Sequence, residues 1–299
     1  MMKKYSLIVL MIVLSGCSAK LNESLAPTLD ALLQTQGVSS QVRESVAKVN
    51  AATVKSMEDI TTPQQEYYIG RSVSANLFGR YRVYNNPKAL AYINKIGVLL
   101  TYQSDLPDVY GGYHFMILDS DEINAFAAPG GFIFVTRGML RCAQNEDEVA
   151  AILAHEISHV TNRHGMRSIK SSRWTGLGTL LVAESVKSYS NANLVNLVSS
   201  FEGGVHDVIN TMVVSGYSRS YELEADKSAY ALLERTGYNP QSLAQMLRVM
   251  KTRLKPGAKD FASSHPSADD RINELKDTTE SVAPPSQRTQ RFRKQLANI

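Results

Sequence analysis

His155-Glu156-Ile157-Ser158-His159 carries the most specific chemistry in this 299-residue chain. Two imidazoles four residues apart on a helix lie on one face and reach a single ion, while the Glu beside the first reaches a water instead. Burying three ionisable groups beside Ile152 and Val160 is costly unless something binds them. The chemistry this points to is metal-assisted hydrolysis, and a catalytic zinc needs a third protein ligand plus one open position.

Spacing ranks the candidates for that ligand. His164 falls nine residues after His155, where an extended histidine motif needs ten, and it precedes Gly165, so it reads as a dipole partner at a helix C-terminus. Glu184 is followed four positions later by Ser188. Glu222 is followed by Asp226, which puts both carboxylates on one helical face. Glu222 is then the ligand, and Asp226 the acceptor that holds a ligand imidazole by its other N–H. The same carboxylates, with Glu224, Arg219 and Lys227, also read as a solvated charged face. The histidine motif upstream shifts the balance toward a metal.

The elements that must position these groups follow from periodicity and capping. Residues 145–164 read as a helix with Asn145 as N-cap, Glu148 as its capping-box partner, acidic residues 146–148 in the first turn and Gly165 as the stop. Val149, Ile152, Leu153, Ile157 and Val160 form its apolar side. Apolar spacings of three and four predict two amphipathic helices from Pro63 onward, with Pro87 starting the second. Short strands are expected at residues 113–119 and 132–136, and helices at 218–235, 240–254 and 267–276. Residues 174–214, small, apolar and glycine-containing, read as a helical hairpin or a lid. The tail from Thr278, with Pro284-Pro285 and four basic residues among its last twelve, is expected to be disordered.

Lys3 and Lys4 precede an apolar run at residues 7–14 and then Ser15-Gly16-Cys17, the pattern of a signal peptide with a lipobox-like end. The run is too short to span a hydrocarbon core of about 30 Å. Residues 1–16 are thus expected to be removed, Cys17 to carry lipid, residues 17–60 to form a tether with a lead-in helix, and 61–277 to form the catalytic domain. Ser18 after that Cys fits sorting to the outer membrane. Cys142, left without a partner, is expected to be buried and inert. With 32 basic against 28 acidic residues, evenly interspersed, nucleic acid is not an expected partner.

His155-Glu156-x-x-His159 and Glu222-x-x-x-Asp226, the latter within Tyr217-Ser218-Arg219-Ser220-Tyr221-Glu222-Leu223-Glu224-Ala225-Asp226, resemble the zinc metallopeptidases related to HtpX and the CAAX prenyl endopeptidases. The likeness is to their periplasmic lipoprotein branch, of the BepA and LoiP type. Asn124-Ala125-Phe126-Ala127, Pro129-Gly130-Gly131-Phe132-Ile133-Phe134-Val135, Ser264-His265-Pro266 and Arg271-Ile272 extend it over residues 61–276.

The resemblance implies an α+β, mainly α, zincin-like domain of the gluzincin type. It implies one zinc per chain on His155, His159 and Glu222, with Glu156 as general base and His265 and Arg271 stabilising the oxyanion. In some relatives the matching His instead takes the open zinc position and holds the enzyme inactive. It also implies that Phe132, Ile133, Phe134 and Val135 form an edge strand facing the cleft, where substrate adds as a further strand, with Asn124 helping to fix the segment. The expected function is a periplasmic endopeptidase, anchored to the outer membrane, that clears misfolded or stalled envelope proteins. A chaperone or assembly factor for outer-membrane proteins, using the same cleft for binding and touching the assembly machinery, is the alternative.

Overall fold

The computed structural model describes residues 62–169, 191–253, 261–265, 268–275, 284–297 and 299. The expectations for residues 1–60, Cys17 included, and for 170–190 lie outside them. The chain divides into two compact units, Met1–Thr62 with Ile169–Asp207, and Pro63–Ser168 with Val208–Ile299. The second holds every element discussed below except residues 191–207, which make up most of one helix.

Helices α1 (Pro63–Arg80) and α2 (Pro87–Tyr102) come first. Asn86 caps α2 by accepting from the Ala89 N–H, and Pro87 occupies the position where its missing N–H costs nothing. Strands β1 (His114–Leu118), β2 (Ala125–Ala128) and β3 (Phe132–Thr136) form a three-stranded sheet in the order β1-β3-β2. β3 runs parallel to β1, with Phe132 opposite His114, and antiparallel to β2, with Phe134 opposite Phe126.

That order corrects the expectation that Phe132–Val135 lies at the edge: β3 is central and paired on both sides. Its aromatic and β-branched residues suit a strand with its faces covered. The edge beside the metal-motif helix is β2, which the sequence did not reveal because three of its four residues are alanine. The turn between β2 and β3 runs close under α1, where a Cβ on Gly70 would come 1.8 Å from the Pro129 carbonyl oxygen.

A short helix α3 (Arg137–Leu140) leads into α4 (Glu146–Thr161), which carries the histidine motif. Asn145 accepts from the Glu148 N–H, and Glu148 returns a carboxylate oxygen to the Gln144 N–H at 2.8 Å. Every residue from Glu146 to Val160 is buried, so α4 is enclosed on all sides rather than amphipathic. It ends earlier than expected: Asn162 is its cap, Arg163 turns left-handed at φ 54°, and α5 (His164–Arg167) begins before Gly165.

Helix α6 (Asn191–Asn210) runs into a π-helical turn, Thr211–Ser215, followed by α7 (Arg219–Thr236), α8 (Ser242–Arg253), α9 (Phe261–Ser264) and α10 (Ala268–Glu274). Helices α2, α7 and α8 and strand β2 pack on α4 around a core that includes Cys142, whose thiol burial pushes up.

The tail is not disordered throughout: α11 (Ser286–Leu296) is a helix against α2 and α4. Arg291 donates to the buried Glu146, with Nε at 3.0 Å, and Arg288 to Asp147 at 3.2 Å. These partners lie some 140 positions upstream, which is why basic composition alone misread the segment. Among the described residues no helix is long and apolar enough to cross a membrane.

Candidate metal centre

α4 presents His155 and His159 one turn apart, and α7 crosses it with Glu222 in its first turn, fixed there by Ser218 as N-cap. His155 Nε2 and His159 Nε2 are 3.0 Å apart, and each lies 3.5 Å from an oxygen of Glu222. His265, just after α9, enters the same space, its Nδ1 3.3 Å from His155 Nε2 and 3.0 Å from Glu222 Oε1. One ligand atom from each of these four residues falls within 4.8 Å of the others, and all four are buried.

Asp226, one turn beyond Glu222, lies 2.9 Å from His155 Nδ1. Since a carboxylate only accepts, the His155 Nδ1 hydrogen is the one given to Asp226, which leaves Nε2 facing the cluster. Arg271 lies against both carboxylates. Its Nε and Nη2 donate to Asp226 at 2.6 and 2.7 Å, and Nη1 lies 2.8 Å from Glu222 Oε2. The guanidinium, fully buried, braces the two carboxylates.

Two further residues join the site. His164 is buried, its Nδ1 2.8 Å from His159 Nδ1 and its Nε2 3.2 Å from Glu224 Oε2. Tyr217 stacks on the His159 ring, centroids 4.3 Å apart at 18°, with its hydroxyl buried and unpartnered. Tyr217 opens the quoted motif around Glu222, and His164 has no sequence signal beyond nearness to the histidine motif.

Burial raises the Glu156 carboxyl above the usual carboxylate range, against the pull of His265 and His155. Burial acts on Glu222 and Asp226 in the same sense, but His265 and Arg271 beside Glu222, and Arg271 and His155 beside Asp226, hold both below it. Burial and Arg271 push His155 down, yet hydrogen bonds to Asp226 and Glu222 outweigh them and hold it up at about 9. The carboxylates therefore draw positive charge to the point where the imidazoles meet. Burial drives His159 well below its ordinary value and takes His164 to about 4.

The residues present fit a divalent cation. Three buried carboxylates, of Glu156, Glu222 and Asp226, face a single buried guanidinium. Both oxygens of Glu156 are buried without a hydrogen-bond partner, which a folded protein tolerates where a ligand or water belongs. Two imidazoles and a carboxylate are a donor set that suits catalytic zinc.

Comparison with known proteins agrees with this geometry. The model of peptidase family M48 matches residues 87–279, which take in all the groups just described. The chain belongs to peptidase family M48. Its helical architecture with a small sheet is the zincin-like fold of that family, and zinc is the cofactor. The chain is similar to the beta-barrel assembly-enhancing protease of Escherichia coli (strain K12), 28% identical over 229 residues, covering 74% of this chain and 45% of that protein. A putative beta-barrel assembly-enhancing protease of Vibrio cholerae is 28% identical over 230 residues, covering 75% and 46%. The mitochondrial metalloendopeptidase OMA1 of Schizosaccharomyces pombe is 28% identical over 188 residues, covering 62% and 52%. The chain thus spans about half the length of the curated relatives it matches.

Proposed function

We propose that this M48 chain is a zinc endopeptidase in which His155, His159 and Glu222 hold one zinc and Glu156 is the general base. The observation that carries the reading is the orphaned, buried Glu156 carboxylate beside two histidine Nε2 atoms 3.0 Å apart. Bound zinc supplies Lewis-acid polarisation of the scissile carbonyl and lowers the pKa of water to about 7. Glu156 takes the proton from the attacking water and passes it to the leaving amine, a task suited to a carboxyl raised by burial. Asp226 and Arg271 keep the His155 ring and Glu222 in place.

Substrate strand addition is assigned to the edge of β2 left unpaired among the described residues, with main-chain hydrogen bonds giving affinity and little sequence preference. β2 is buried along its whole length and lies against the Thr211–Ser215 turn. Asn124, at its start, accepts a hydrogen bond from Ser264, the neighbour of His265. Entry of a substrate thus requires the Ser264–His265 segment to move, and His265 acts as the gate by occupying the fourth ligand position.

The proposed substrates are misfolded or stalled envelope proteins. The name of the beta-barrel assembly-enhancing proteases supports outer-membrane proteins among them. Periplasmic location and anchoring through lipidated Cys17 rest on the leader-like sequence. His265 at the fourth position favours a second reading, a chaperone or assembly factor whose proteolysis is held off. Casein cleavage with and without a chelator, alongside zinc stoichiometry, tests the enzyme. Complementing an envelope defect with Glu156→Gln separates the two readings, since only the chaperone tolerates that change.

A further inference from the structure

The two ligand imidazoles are held from behind in different ways. His155 meets a carboxylate directly, whereas behind His159 stands a second imidazole and only then a carboxylate. We infer that His164 and Glu224 form a relay that fixes the tautomer and direction of the His159 ring, so that both are positioning residues of the metal centre without touching the ion. The inference rests on the proposed ligand set and deepens it.

The direction of the relay follows from donors and acceptors. Glu224 Oε2 accepts from Arg167 Nη1 at 2.9 Å and stands 3.2 Å from His164 Nε2. A carboxylate cannot donate, so the hydrogen between them is on His164 Nε2. The neutral His164 ring then offers Nδ1 as an acceptor, and the 2.8 Å contact to His159 Nδ1 is filled by the hydrogen of His159. With Nδ1 protonated, His159 turns the Nε2 lone pair toward His155 and Glu222. The opposite arrangement would put a hydrogen on His159 Nε2 and block coordination.

The backbone is shaped to make this contact. His159 lies in the last turn of α4, and the chain must reverse within a few residues for position 164 to come back over it. Arg163 supplies the reversal in the left-handed region, the one non-glycine residue with positive φ among the described residues, and its side chain pairs with Glu66. His164 then stacks on Tyr221 at 4.5 Å and 4°, and the Arg167 guanidinium lies 4.3 Å from the centroid of the same Tyr221 ring. A strained turn, a fully buried imidazole and a stacked ring all serve a residue that no ligand-spacing rule selects.

The test is zinc affinity of the full chain, read by competition with a chromophoric chelator, for wild type, His159→Ala, Glu224→Gln, His164→Phe and His164→Asn. Phe keeps the stack on Tyr221 and removes the acceptor, whereas Asn offers an oxygen near the Nδ1 position. We expect His164→Phe to weaken zinc binding about 10–100-fold, Glu224→Gln to weaken it less, and His164→Asn to retain most of the affinity. The melting temperature of metal-stripped His164→Phe should stay near that of the stripped wild type, which a purely structural role would lower. Equal affinity of wild type and His164→Phe, or equal loss in Phe and Asn, overturns the relay. Loss in His159→Ala with none in His164→Phe overturns the relay alone, and a wild type that takes no zinc overturns the ligand set with it. Nitrogen-15 spectra of wild-type histidines give a reading free of mutation: the relay requires His159 protonated on Nδ1, and an Nε2–H tautomer contradicts it.

Discussion

Asp226 Oδ1 lies 2.9 Å from His155 Nδ1, and the same carboxylate takes two hydrogen bonds from Arg271. One buried anion thus orients the His155 imidazole and neutralises a buried guanidinium. Asp226→Asn should lower zinc affinity about 10–100-fold and, by leaving Arg271 short of a counter-charge, cost roughly 3–5 kcal/mol in stability. Chelator competition and urea unfolding measure the two effects. The double variant Asp226→Asn with Arg271→Met should recover part of the stability and none of the affinity.

The C-terminal helix clamps the acidic first turn of the helix that carries the histidine motif. Arg291 is half exposed, so Arg291→Ala should cost only about 1 kcal/mol. Removing residues 284–299 also strips Phe292 and Leu296 from the core, at a cost on the order of 3 kcal/mol. A urea midpoint that does not move on truncation would contradict the packing described.

Much of this was legible in the sequence, for identifiable reasons. Spacing on a capped helix put His155 and His159 on one face, and Glu222 with Asp226 on another, because helical geometry is local. What depends on distant partners was not legible. The edge strand β2 is held by its neighbour rather than by alanine propensity. The basic tail folds because Glu146 and Asp147 await it. His164 was set aside because the spacing rule asks about direct ligation, whereas its contact is to the His159 ring. The sheet order, with the best β-former in the centre, could not be read from strand propensities taken one at a time.

Glycine at position 70 is a condition of close approach between α1 and the β2–β3 turn. Gly70→Ala should destabilise by about 1–3 kcal/mol or more, since the new Cβ meets backbone. Gly79→Ala in the same helix meets nothing within 4 Å and should stabilise by about 0.5 kcal/mol. Thermal unfolding of the pair separates steric from propensity effects, and equal shifts would contradict the contact.

Zinc should link to stability through the same residues. A chelator should lower the melting temperature, and zinc at 100 times its dissociation constant should restore about 2.7 kcal/mol. Glu222→Ala should lose that response along with most of its zinc. Full occupancy in Glu222→Ala would move the third ligand elsewhere.

The gate is open to the same kind of measurement. Replacing His265 by Ala should raise or redirect casein cleavage while leaving His155, His159 and Glu222 to bind zinc. Unchanged kinetics would remove His265 from the mechanism.

The most direct measurement is casein cleavage by zinc-loaded Glu156→Gln beside zinc-loaded wild type. The account predicts that the variant binds one zinc per chain and cleaves nothing above background, because the buried carboxylate that takes the proton is gone. Cleavage by that variant at the wild-type rate would contradict it.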